Sequence, residues 1–415
     1  MNRKEYTYRN SLDLYKRAIR VIPGGIYGPK NPGFVVPGSY PYYFSHAKGC
    51  RFTDADGNEF IDFMCGYGSQ LLGYGYDPVE EKAAAQLRKG DLLNGPAPVM
   101  VELSEILVDR IRDMDWAVYA KNGTDVTTLA VTLARVHTGK KKILCAREAY
   151  HGAANWCSSN DYPVLEEKND VLSFEYNNLE ELEALFAAHR GQIACLILTP
   201  YHHPAFTPQL MPREDLYPRV QALCRNEGAL FVMDDIRANF RLDPAGSHVF
   251  FGAHPDLVTM GKSVANGHPM AVLMGKEEFR KTASGFFITG TYWMSAVPMI
   301  AAVETLKEME RLNYLEHINR MGIRLREGLE ALGREFGYSM KVSGPPAIPF
   351  LNFTEDPDMY LNQIFCASMT RRGIYLHPHH NWFISWAHKE GDIDETLETA
   401  RGVLKEMREG KTDRV

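Results

Sequence analysis

The residues with the most chemical potential in this sequence are two acids and a lysine. In "ALFVMDDI" (229–236) the apolar run Ala229, Leu230, Phe231, Val232 and Met233 ends on Asp234 and Asp235. A carboxylate at the end of a buried strand needs a partner, because burying an unpaired charge is costly. That partner is either a cationic ligand atom or the N-terminus of a following helix. Lys262 ends a second apolar run, "DLVTMGK" (256–262), beside Met260, Gly261 and Val264. A lysine there either reaches solvent or keeps a buried amine. A buried amine titrates below the usual value of about 10.4 and serves as a Schiff-base nucleophile.

Three further stretches carry complementary chemistry. "YAKNGTD" places Asn122, Gly123 and Thr124 between a strand and a helix, with Thr124 as the expected N-cap and Asp125 in the first turn. Free backbone N–H groups at such a turn suit a phosphate, although an ordinary capped helix would look the same. "AREAYHG" puts Tyr150 at a strand end, where its ring either joins the core or stacks on a flat ligand. "ITGTYW" supplies a second small-residue turn, Gly290-Thr291. Each signal alone is weak. Together, an anion cradle, a stacking aromatic, a buried carboxylate and a strand-end lysine are the parts that hold pyridoxal 5′-phosphate (PLP).

These residues need a scaffold that brings strand ends together. Between about residue 100 and residue 280, short apolar runs alternate with helical patterns. The runs are "WAVYAKNG", "KKILCAREAYHG", "IACLILTP", "ALFVMDDI", "DLVTMGK" and "MAVLMGK"; the helical patterns include "LEELEALFAAHR" and "EDLYPRVQALCRNEG". This alternation predicts an α/β fold with a mostly parallel sheet, whose ligands bind at the carboxyl ends of the strands. From 296 to 337 the pattern becomes a long amphipathic helix broken near Asn313. Strand-like "AIPFLNF" and "WFISWA" and a final helix follow, which together read as a smaller α+β domain. The expected division is an N-terminal arm and part of the small domain (1–60), a large domain (61–310) and a small C-terminal domain (311–415).

Composition narrows the partners. A formal net charge of −6 argues against nucleic acid as the main partner. No apolar run is long enough to span a bilayer, and the charged N-terminus shows no apolar secretory segment. Seven scattered cysteines without a CxxC pair suit a reducing, cytoplasmic setting. His377, His379 and His380 lack a second ligand cluster, so no metal is expected.

The order of these motifs resembles the class III (omega) aminotransferases, which share the fold type I architecture of PLP-dependent transferases. The resemblance spans nearly the whole chain. It rests on the acidic pair followed by a lysine in "TMGK", on "RFTDADGNEFIDF", on "KNGTD" with Asn122 where serine is usual, and on "AYHG" and "GTYW". "VIPGG", "DDIRANFR" and "LHPHHNWFISWAH" are most similar to the glutamate-1-semialdehyde aminomutase branch. "ILCAREAYHGA", "GKSVANGHP" and "TGTYWMSAVPMIAAVETL" resemble bacterial fumonisin aminotransferases, which move an amine from a long polyol amine to pyruvate.

The resemblance implies a seven-stranded, mostly parallel sheet in the large domain. It makes Lys262 the catalytic residue that forms the aldimine and shuttles the proton. Asp234 pairs with the pyridine nitrogen, Tyr150 stacks on the ring, and Asn122, Gly123 and Thr124 surround the phosphate. Asp235 organises the site through hydrogen bonds. Thr291 reaches the phosphate of a neighbouring subunit's cofactor, which implies a homodimer, with tetramers also open. Tyr27, Tyr67, Tyr292 and Trp293 line the substrate pocket. Arg237 is either the cation for a keto-acid carboxylate or a structural arginine. Two departures stand out: Thr199 replaces a glutamate that many relatives carry before proline, and Tyr67 stands where aminomutases commonly carry tryptophan. The expected activity is transfer of an amino group from a primary amine, long-chain or bulky, to pyruvate or a similar keto acid. The alternatives are an aminomutase or racemase, and a ligand-sensing protein without catalysis.

Overall fold

The computed structural model describes residues 6–157, 169–204 and 206–411. The chain divides into two compact units. The smaller holds residues 1–76, 205–208 and 316–415; the larger holds 77–204 and 209–315. The expected boundaries at 60/61 and 310/311 therefore move to 76/77 and 315/316.

The first boundary moves because of strand pairing in the smaller unit. Strands β1 (Phe44–Lys48), β2 (Arg51–Asp54) and β3 (Glu59–Asp62) form an antiparallel meander. Ile374 and Tyr375 pair in parallel with Ile61 and Asp62, which ties the segment after residue 60 to the C-terminal part of the chain. Aromatic rings fill this sheet's apolar face: Phe52 stacks on Phe60 at 4.9 Å, and Tyr375 meets both edge-on.

The larger unit is organised by its sheet. In chain order its strands are β4 (Trp116–Ala120), β5 (Lys142–Ala146), β6 (Val171–Phe174), β7 (Ile193–Leu198), β8 (Leu230–Asp234), β9 (Leu257–Met260) and β10 (Ala271–Gly275). Their spatial order is β4-β10-β9-β8-β7-β5-β6. β10 runs antiparallel to both of its neighbours, and the other pairings are parallel. β7 and β8 are buried along their whole length, which explains their unbroken apolar sequence: helices cover both faces of a parallel sheet.

The helix Gly123–Thr138 shows how the sequence sets this packing. Val126, Ala130, Val131, Leu133 and Ala134 recur at helical spacing and bury one face in the same core as Ile143, Ile197, Val232 and Leu273. Gly139 ends the helix at φ +67°, a conformation that glycine adopts without a Cβ penalty.

The smaller unit departs from expectation at "WFISWA". "AIPFLNF" yields a strand, Phe350–Phe353, which pairs with Met340–Ser343. "WFISWA" is buried but is not a strand. The N–H groups of Trp382, Phe383 and Ile384 bond to the carbonyls of Pro349, Phe63 and Ala347, so no single partner strand forms a ladder. The break expected near Asn313 is present: Ala296–Arg311 and Tyr314–Phe336 are separate helices, interrupted at Leu312-Asn313.

Candidate active site

Asp234 is the last residue of the central strand β8, and its carboxylate is buried. Nδ1–H of His151 donates to Oδ2 of Asp234 at 2.7 Å, and the Ile236 N–H donates to Oδ1 at 3.2 Å. His151 is fixed in turn. Its ring lies parallel to Trp156 at 6.4 Å, and its carbonyl accepts from the Thr127 hydroxyl at 2.7 Å. His151 was not among the residues singled out by sequence; its only signal was a place beside Tyr150 in "AYHG".

Asp235 points elsewhere. Oδ1 accepts from the Ser247 hydroxyl at 2.6 Å and Oδ2 from the Ser247 N–H at 2.9 Å. Burial lifts its carboxyl to about 7, against the pull of the Ser247 bonds. The two acids thus have separate work. Asp235 ties the loop after β8 to the start of the short helix Ser247–Phe250.

Lys262 follows β9 across the extended Gly261 and has a left-handed backbone, φ +49°. Such a conformation in a residue with a Cβ is strained and persists only where its surroundings impose it. Burial pulls the amine down to about 7; the charges of Arg237 and Arg241 act in the same direction, and Asp234 opposes them. An amine with that value is half neutral near pH 7, as a nucleophile and base must be. Arg241 is fully buried, and its Nη1–H donates to the Ser263 hydroxyl at 3.1 Å.

Tyr150 follows the end of β5 by four residues and is more than half exposed, so it is accessible to a ligand. Burial raises its phenol above the ordinary value, with Arg237 opposing and Asp234 adding to that shift; Arg237 and Asp234 act on Lys262 as well, so the four form one electrostatic neighbourhood.

The turn after β4 completes the arrangement. Asn122, not Thr124, is the N-cap of the helix that starts at Gly123. Asp125 reaches back to accept from the Asn122 N–H at 2.8 Å, which fixes the helix start there. Thr124 instead meets the Tyr150 loop: its hydroxyl accepts from the Ala153 N–H at 3.1 Å. A Cβ on Gly152 would stand 2.6 Å from that hydroxyl, and a Cβ on Gly123 would stand 2.9 Å from Ile236. Two absent side chains therefore keep this helix N-terminus open.

Thr291 and Tyr292 are exposed on the turn before helix Ala296–Arg311. Thr291 and Trp293 line a cavity of about 280 Å³ against β4, with Leu92, Leu93 and Tyr119; its lining does not include Lys262, Asp234 or Tyr150. Tyr27 and Tyr67 belong to the smaller unit. There Tyr67 sits in a left-handed turn, with Cys65, Gly66, Tyr67 and Gly68 all at positive φ, and its ring meets His380 edge-on at 5.3 Å. His377 is buried, which pulls its imidazole down to about 3. The Thr199 hydroxyl donates to the Tyr201 carbonyl at 2.8 Å and shapes its own loop, so no carboxylate stands at that position.

These residues fit PLP. A buried carboxylate closes the central strand, a weakly basic lysine follows the next strand, and glycine keeps a helix N-terminus open to an anion.

Comparison with known proteins agrees with the geometry. The family model described as aminotransferase class-III matches residues 36–400. An aminopentol aminotransferase from Sphingopyxis macrogoltabida is 42% identical, over 93% of this chain and 92% of its own length. A 3-aminobutyryl-CoA aminotransferase from Cloacimonas acidaminovorans is 33% identical, over 96% of this chain and 97% of its own length. The solved FumI protein of Sphingopyxis sp. MTA144, in its PLP internal aldimine form, superposes with a TM-score of 0.95 at 40% identity and covers 98% of each chain.

Proposed function

The chain belongs to the class III aminotransferases, PLP-dependent enzymes of fold type I, and from that premise we propose that it moves an amino group from a long-chain or bulky primary amine to pyruvate or a similar keto acid. The observation that carries the substrate class is the 42% identity to an aminopentol aminotransferase over almost the whole chain.

The cofactor supplies an electron sink for the charge left when a proton leaves the carbon that bears the amine. The chain supplies everything else. Asp234, held by His151, would pair with the pyridine nitrogen and favour its protonated form. Tyr150 covers one face of the ring. The helix N-terminus at Gly123, with Asn122 and Thr124, holds the phosphate through N–H and hydroxyl donors. Lys262 would hold the cofactor's aldehyde carbon, and its amine in the uncharged form can take and return the substrate proton. Burial, helped by the two arginines, leaves about half of that amine uncharged at pH 7. Arg237 is the cation for the keto-acid carboxylate.

Aromatic side chains such as Tyr292 and Trp293 favour an apolar amine skeleton over a dicarboxylate. The working unit is a homodimer in which Thr291 of each copy reaches the phosphate of the other's cofactor. The setting is cytoplasmic; among the described residues no helix is long and apolar enough to cross a membrane.

The test is product analysis. The holoenzyme is incubated with a long-chain aminoalcohol, with and without pyruvate. Alanine appearing in step with loss of the amine, and only with pyruvate, supports the proposal. Isomerised amine or amino acid formed without a keto acid contradicts it in favour of an aminomutase or racemase.

A further inference from the structure

Three neighbouring strands of the large sheet lie in the order β8, β7, β5. β8 ends at Asp234 and β5 leads to His151. The strand between them leads into Thr199-Pro200-Tyr201-His202-His203-Pro204. Adjacent strands stand about 4.8 Å apart. The His202 loop therefore leaves the sheet between the two strands that carry the buried His151–Asp234 pair.

His202 is buried as well. Its ring stacks on Tyr176 at 5.0 Å and 14°, and its backbone exchanges two 2.8 Å hydrogen bonds with Leu210. Burial lowers the basicity of its imidazole to about 4; Glu175 opposes that shift, and a charge on His151 adds to it. Two ring nitrogens of this cluster are buried with no protein partner among the described residues: Nε2 of His151 and Nδ1 of His202. Buried polar atoms in native proteins are satisfied by protein or by ordered water. The direction of the first bond is set, because His151 must carry its proton on Nδ1 to donate to the Asp234 carboxylate. Nε2 is then an acceptor, and which nitrogen of a histidine holds the proton follows from the bond that the other makes.

We propose that His202 is a positioning residue for the cofactor's pyridine-nitrogen site: its Nδ1–H and Nε2 of His151 share one ordered water, which locks the His151 tautomer and so orients Asp234. The inference rests on PLP as the cofactor, and its readout needs no amine substrate, so it stands or falls separately from the proposed substrate class.

The test compares two variants in PLP affinity, measured by reconstituting the apoenzyme, and in thermal midpoint. His202→Phe keeps a flat ring against Tyr176 and removes both nitrogens. His202→Asn places an amide nitrogen where Nδ1 stood. The expected result is similar melting for both, PLP binding weakened roughly fivefold to tenfold in His202→Phe, and recovery to within about threefold in His202→Asn. A His202→Phe protein that binds PLP as tightly as the parent overturns the proposal. So does a His202→Asn protein as weak as His202→Phe, because loss without rescue means a packing role. Should His202→Phe not fold, His202→Asn is compared with His202→Gln, whose amide reaches the Nε2 position instead; equal affinities overturn the proposal.

Discussion

His151 donates to Asp234 at 2.7 Å with both side chains buried, across 83 positions of sequence. A carboxylate buried in this way is oriented as well as charged, so two variants separate the two properties. Asp234→Asn keeps the shape and removes the charge; it should slow the half-reaction with amine by about 10²-fold to 10³-fold, the usual loss when one preorganised electrostatic partner is removed. His151→Phe keeps the charge and frees the carboxylate, and should cost less, roughly tenfold. Single-turnover absorbance kinetics compare them, and equal rates in Asp234→Asn and the parent would exclude Asp234 as the pyridine partner.

Lys262→Ala should abolish turnover while leaving the fold intact. In the cofactor-free protein the same lysine gives a pH-dependent stability. Its folded value, about 7, lies below the unfolded value, so between about pH 7 and pH 10.5 the unfolded chain binds the extra proton. The penalty for burying this amine is therefore full below pH 7 and fades as pH rises toward 10.5. Lys262→Met should stabilise the apoprotein most at pH 7 and below, with the gain vanishing above about pH 10.5. Urea unfolding across that range checks the slope; a gain that does not change with pH would mean that the amine is not displaced from its ordinary value.

Gly152 has φ +128°, and an added Cβ would meet the Thr124 hydroxyl at 2.6 Å. Gly152→Ala should push Thr124 out of the phosphate turn and weaken PLP binding about tenfold or more, with a loss of roughly 1–3 kcal/mol in stability. Cofactor titration and denaturant melts measure the two effects separately.

Arg237 acts on Lys262, Asp234 and Tyr150 together. Arg237→Gln should raise the KM for pyruvate roughly tenfold, the loss expected of a charge-assisted carboxylate contact. The same change raises the basicity of Lys262, so the pH at which the half-reaction with amine reaches half its maximum should move upward. An unchanged KM for pyruvate would assign Arg237 to structure alone.

The chemistry of the site was legible wherever the wrong residue type stood at a strand end. Asp234 and Lys262 end apolar runs and Tyr150 follows one by four residues; each signal was weak alone, and their combination singled them out. The His151–Asp234 bond was not legible, because no local pattern reports a contact between segments so far apart in sequence. Val171–Phe174 was missed as a strand: four residues at the sheet edge carry too little periodicity. The reversed direction of β10 leaves no mark in its own sequence, since a strand buried on both faces is apolar whichever way it runs. "WFISWA" reads as a strand by residue type, but its N–H groups are claimed by Pro349, Phe63 and Ala347, and tertiary structure overrides propensity there. Thr124 gave way to Asn122 as N-cap because Asp125 reaches the Asn122 N–H.

The central claim is that Lys262 and Asp234 hold PLP for transfer of an amine to a keto acid. The most direct measurement is a half-reaction on the purified holoenzyme: its cofactor absorbance is recorded, excess primary amine such as 1-phenylethylamine or a long-chain aminoalcohol is added, and pyruvate follows. The account predicts that the band of the lysine-bound cofactor bleaches to the pyridoxamine form with amine, and that pyruvate restores it as alanine appears. A band that survives both the aryl amine and the aminoalcohol, while amino acids are isomerised without any keto acid, would contradict the account.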